Sequence, residues 1–335
     1  MNRLNDSQLL SLLLVTDAFA LLCFMGDLSV ISVAGFVLGA VFRYLLYLPI
    51  AEFYQKGGTL KSSSALVKWF CLIYIILWGG LLFVMLWNAS EAVTIPAEYI
   101  PFIPENLVIS GLIALTCLYV SSPGEKALSR ASLIASALGA ICISIVILSA
   151  VPRFRIAYLE DIPQGRDIIS GLFTGFVIGG GSGALTVLLG FTKGDAKRLI
   201  RRYFTAQLIL LAVVSLTVIM VTGGIDKVTD FPVITAVTLS QPFSTQRIDA
   251  LFLIIFVILA VFSISVQTVT ASYLLSRLYP DFRRFRSSFV LLAIIATAFL
   301  LSSVPVYAPV TGALTLIAPF GILTELLRRR KRGKV

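Results

Sequence analysis

Apolar runs long enough to cross a membrane, separated by short polar and charged stretches, repeat along the whole chain. A transmembrane helix needs about 20 mostly apolar residues, each adding ~1.5 Å of rise. That pattern predicts ten spans, at 8–25, 28–50, 66–88, 106–121, 131–151, 168–191, 203–222, 250–276, 287–305 and 308–327. The longest connection runs only from 223 to 249, so no soluble domain interrupts the series. The expected fold class is all-α integral membrane, with residues 1–335 as a single membrane domain.

Composition supports this pattern. Apolar residues make up 58% of the 335, charged residues 13%, and the mean hydropathy is +0.97. Such a chain has too little polar surface to cover a soluble globule and belongs in the lipid bilayer. The first apolar run follows Met1 and Arg3 as a signal peptide would, but Asp17 interrupts it and no clear small-x-small cleavage site follows. It reads as the first span.

Charge adds an orientation. Most of the 27 lysines and arginines fall on alternate connections: Arg3, then Lys56 to Lys68, Lys126 and Arg130, Lys193 to Arg202, Arg277 to Arg286, and the tail RRRKRGK. The intervening connections carry few cations and an acidic bias from Glu91, Glu98, Glu105, Glu160, Asp161, Asp226 and Asp230. Lysine and arginine resist translocation, so both termini are expected in the cytoplasm. The net charge of +10 is then a topology and headgroup signal, and a nucleic-acid partner is not implied.

Five spans from 8 to 151 and five from 168 to 327 make two halves of similar length. Because five is odd, the second half starts on the opposite side, so a repeat between them would be inverted. Secondary transporters use this 5+5 inverted-repeat plan, with a midplane site formed by discontinuous helices.

Candidate chemistry lies at mid-depth. In "SGLFTGFVIGGGSGALTVLLG" (170–190), glycines 171, 175, 179 and 183 share one helix face and suit close packing. Gly180, Gly181 and Ser182 fall off that stripe, and surplus glycine favours a local break in the span. A second half-helix starting near Ser182, Gly183 and Ala184 would present unpaired N–H groups and a positive dipole end to a ligand carboxylate. Asp17, near the centre of the first span, is either the counter-charge for a ligand ammonium or proton, or the partner of Arg43 in the second span. Tyr74 and Trp78 in the third span either line a site or pack. Ser263, Ser265, Gln267, Thr268 and Thr270 make the eighth span polar at mid-depth, for interhelical hydrogen bonds or for a ligand.

Other chemistries find no support in the sequence. Cys23, Cys71, Cys117 and Cys142 lie in apolar stretches and the chain has no histidine, so neither a metal site nor a disulfide framework is expected. No paired nucleophile and base or phosphate loop is visible, so neither an enzyme nor a cofactor is expected.

Four segments carry a family resemblance. "EYIPFIPENLVI" (98–109), "GEKALSRASLI" (124–134), "DFPVITAVTLS" (230–240) and "QRIDALFLIIFVI" (246–258), with Arg247 and Asp249, resemble in order and spacing the B subunits of spore germinant receptors. These belong to the amino acid, polyamine and organocation transporter superfamily. Phe256 stands where members commonly have tryptophan, and GGGSG (179–183) where they commonly have glutamate. The resemblance implies a nutrient receptor in the inner membrane of an endospore that binds a small amino-acid-like germinant and works with A and C subunits. The residues alone equally allow a proton- or cation-coupled amino acid transporter. The candidate ligand set is Asp17, Tyr74, Trp78, Gly180, Gly181, Ser182, Gly183, Ser263 and Gln267.

Overall fold

The computed structural model describes residues 4–23, 28–56, 58, 60, 63–93, 105–159, 168–169, 172, 184–223, 231–240, 248–280, 286–302 and 321. Among them the regular elements are helical: α1 (Asp6–Leu22), α2 (Val30–Gln55), α3 (Ala65–Val93), α4 (Glu105–Ser121), α5 (Glu125–Ala150), α6 (Leu185–Leu188), α7 (Ala196–Thr222), α8 (Pro232–Leu239), α9 (Ile248–Leu278) and α10 (Arg286–Leu301). Among the described residues, α2, α3, α5, α7 and α9 are long and apolar enough to cross a membrane. The tenth predicted span lies outside the described residues except for Gly321. Of the sixth, only 168–169, 172 and 184–191 are described.

Helix ends extend past the apolar runs where the sequence supplies caps. Asp195 accepts hydrogen bonds from the N–H groups of Lys197 (2.8 Å) and Arg198 (3.4 Å), so α7 starts inside the basic segment, ahead of the predicted 203. At its other end Gly223 adopts φ 51°, a left-handed cap that glycine takes without a Cβ penalty.

Burial separates centre from periphery. Within their most apolar stretches, α9 is 78% buried and α3 72%, whereas α5 is only 22% buried. α9 packs against α1, α3, α4, α5 and α10, while α2 pairs chiefly with α7. The outward faces of α2 and α5 present Leu38, Leu45, Ile134, Ile141 and Leu148, a surface suited to hydrocarbon. Gly79 permits the approach at the centre: a Cβ there would meet Ile294 of α10 at 3.0 Å and Gln267 of α9 at 3.4 Å. Gly35 of α2 faces the backbone carbonyl of Leu172 so closely that a Cβ would collide with it.

Within the connection 223–249, Pro232 occupies the first turn of α8, as its fixed φ favours. Val233, Ala236 and Val237 are buried against neighbouring helices. The apolar spacing of that short segment thus corresponds to a packed helix.

Candidate functional site

α1 and α7 begin at the same level because their lead-in segments are tied together. The Leu4 N–H donates to the Phe191 carbonyl (2.8 Å), the Lys193 N–H donates to the Leu4 carbonyl (3.1 Å), and Leu4 and Thr192 form a parallel bridge. The Thr192 hydroxyl also donates to Asp6 Oδ1 at 2.8 Å. Depth can therefore be compared along the two helices. Asp17 and Gln207 each lie about 16 Å from their helix starts by the ~1.5 Å rise per residue.

Asp17 and Arg43 are both buried, with 6% and 1% exposure. The direct partner of Asp17 is Tyr203 of α7, whose hydroxyl donates to Oδ2 at 2.7 Å. Arg43 acts on the carboxylate electrostatically and lies within electrostatic reach of Tyr74, Tyr47, Tyr203 and Asp17. The second span thus places a cation where the first places an anion, and tyrosines from α2, α3 and α7 surround it. An ionised group in an apolar interior needs such company.

The cluster continues into the described end of the sixth span. Tyr47 and Thr186 of α6 share a hydrogen bond of 3.0 Å between their hydroxyls, and the Tyr54 hydroxyl donates to the Thr186 carbonyl at 2.9 Å. The Phe204 ring packs edge-on against Tyr44 and tilted against Tyr47, each with centroids 6.1 Å apart. Tyr47 and Tyr54 of α2 are thereby tied to the end of the sixth span, and Tyr44 and Tyr47 to Phe204 of α7.

Gln207 stands out energetically. Its side chain is 1% exposed, and neither Nε2 nor Oε1 has a hydrogen-bond partner. It follows Tyr203 by one helical turn, at the depth of Asp17. Among the described residues this amide has no partner, and an unpaired buried amide costs several kcal/mol in a medium that cannot hydrogen-bond.

The predicted site residues distribute as follows. Asp17 and Tyr74 meet around Arg43. Trp78 lies one turn beyond Tyr74, 8% exposed, with its Nε1–H unpaired. Gln267 is buried against α3 at Gly79. The Ser263 hydroxyl contacts the Leu259 carbonyl (2.7 Å) and the Val15 carbonyl (3.3 Å), tying α9 to α1 just before Asp17. Gly180, Gly181, Ser182 and Gly183, with the break expected there, lie outside the described residues. Tyr47, Tyr54, Thr186, Tyr203 and Gln207 were not in the sequence-based set. A lone glutamine within the apolar run of α7 is a signal that could have revealed the last.

In chemical terms, a buried carboxylate bonded to a phenol lies within electrostatic reach of a buried guanidinium. Such a frame can receive a ligand bearing both charge signs, or a cation at Asp17 balanced by Arg43.

Two solved structures share this architecture. The first is a closed conformation of Mhp1, a nucleobase-cation-symport-1 family transporter, with bromovinylhydantoin bound. It has 15% identity and a TM-score of 0.61 over 99% of this chain and 80% of that one. The second is the inward-facing conformation of Mhp1, with 14% identity and a TM-score of 0.59 over 98% and 78%. No protein-family profile and no curated protein sequence matches the chain. The fold is that of a transporter. The chain is an all-helical integral membrane protein.

Proposed function

We propose that this protein moves a small amino-acid-like solute across the membrane, coupled to a proton or another cation. The observation that carries the reading is the buried Asp17–Tyr203 pair beside Arg43, at mid-depth in a transporter fold. Asp17 takes the ammonium or the coupling cation, while Arg43 and the tyrosine hydroxyls take the carboxylate. We assign Tyr74, Trp78, Ser263 and Gln267 to the same site, with backbone N–H groups of Gly180 to Gly183 from the sixth span as further donors. The buried acid supports cation coupling, and Mhp1, whose fold is similar, is a nucleobase-cation-symport-1 family transporter.

The test is uptake by the purified full chain in proteoliposomes, using labelled glycine and L-alanine under an imposed proton or sodium gradient. Gradient-driven accumulation that is lost in Asp17→Asn supports the proposal. Absence of accumulation under every gradient overturns it.

A second reading rests on the four resembling segments, from 98–109 to 246–258. In it the same chamber serves a spore germinant receptor, acting with A and C subunits in the endospore inner membrane. Thermal stabilisation by glycine or L-alanine without any uptake, together with co-purification of the two partner subunits, would favour that role over transport.

A further inference from the structure

A polar cavity of about 560 Å³ opens at the basic end of the bundle, away from the mid-depth cluster. Its volume lies within the range of small-ligand sites. The end of α4, the start of α5, the last turns of α9 and the first turn of α10 enclose it. Two side chains of opposite charge, Glu125 and Arg286, line it from different helices. Among the described residues no ion pair joins them.

Hydroxyl groups fill the wall between those charges. Ser121, Ser122 and Ser276 donate to the carbonyls of Leu118 (3.0 Å), Tyr119 (2.8 Å) and Tyr273 (2.6 Å), which leaves their lone pairs to accept. The Ser272 hydroxyl oxygen is buried with no hydrogen-bond partner, so its donor is unspent. Gly124, also on the wall, precedes α5, so the positive end of that helix lies beside the Glu125 carboxylate. Acceptors with Glu125 suit an ammonium, and donors with Arg286 suit an oxyanion.

We propose that this cavity binds a zwitterion, with an oxyanion held at Arg286 and an ammonium at Glu125. Phosphoethanolamine headgroups of the surrounding lipid and free α-amino acids share that chemistry. Glu125 and Arg286 line one cavity from different helices, so a single ligand carrying both charge signs can meet both. The site is separate from the chamber around Asp17 and does not depend on what that chamber carries.

Thermal unfolding of the full chain in phosphatidylcholine nanodiscs tests this, with soluble phosphoethanolamine, glycine, inorganic phosphate or ethanolamine added. Phosphoethanolamine or glycine should raise the midpoint, and inorganic phosphate or ethanolamine should do so far less. Because glycine is also the solute proposed for the Asp17 site, its effect is read in the Asp17→Asn background, where Arg286→Gln and Glu125→Gln should each abolish the rise. Nanodiscs containing phosphatidylethanolamine distinguish the sources. A raised midpoint there, with no further rise from the soluble compounds, identifies the lipid headgroup, and a response to glycine alone identifies a free amino acid. The proposal is overturned if neither zwitterion nor phosphatidylethanolamine shifts the midpoint. It is also overturned if, in the Asp17→Asn background, the rise survives both cavity variants.

Discussion

α7 and α9 are both long apolar helices with polar residues in their middle, yet α7 sends a hydroxyl to a carboxylate. The mid-depth hydroxyls of α9 meet backbone carbonyls, of α9 itself and, for Ser263 and Ser265, of α1 and α4. In α9 the hydroxyls of Ser263, Thr268 and Thr270 donate to carbonyls four residues back on the same helix. Thr217 and Thr222 of α7 do the same. Tyr203 instead reaches across to Asp17, and Gln207 has no partner. A hydroxyl that can satisfy itself on its own helix costs little in hydrocarbon and says little about function. A polar group that must look beyond its helix, or finds nothing, marks a place built for something else.

The largest effect that would sharpen this contrast is at Arg43. Replacing it with methionine leaves Asp17 buried with a hydroxyl as its direct partner and removes the cation that acts on it electrostatically. That loss is bounded above by the about 3–5 kcal/mol of breaking a direct buried charge pair. Arg43→Met should therefore lower the unfolding midpoint in detergent sharply. Asp17→Asn/Arg43→Met should recover most of the stability without recovering the solute response. A double variant as unstable as the single one would break the electrostatic account.

A smaller change of opposite sign is expected at Gln207. Gln207→Leu removes an unpaired buried amide at similar volume, so the ligand-free protein should gain about 1 kcal/mol. Glycine or L-alanine should then stabilise it less than the unchanged protein. A loss of stability in thermal unfolding without ligand would mean that the amide is already satisfied.

The smallest effect belongs to α9. Thr268→Val and Thr270→Val each remove a bond back to their own helix, and polar side-chain bonds inside membranes average about 0.6 kcal/mol. Each variant should unfold within that margin and transport normally. A large defect in either would erase the distinction between the two helices.

The contrast also explains what the sequence disclosed. Span positions follow from length and hydropathy, and Pro232 with its apolar neighbours marked α8, because each of these signals is local. Asp17 and Arg43 were conspicuous as charges inside apolar runs. Their joining through Tyr203, and the link from Tyr47 and Tyr54 to Thr186, were not legible. A helix apolar on every side carries no periodicity to say which face meets which neighbour. Ser263 was visible for the same reason as Asp17, although its hydroxyl contacts carbonyls of α9 and α1.

The tie between Leu4 and the lead-in to α7 bears on how the molecule could move. Two backbone bonds and the Thr192–Asp6 bond hold the start of α1, and all of them span the same few residues. Separation of α1 from α7 at this end cannot proceed bond by bond like a zipper, because a small displacement strains all of them together. The tie acts as a snap fastener, with a threshold below which the first helix stays seated. A peptide extension ahead of Leu4 would pull directly on that fastener, so whatever is attached to the amino terminus has mechanical leverage over the opening of the bundle.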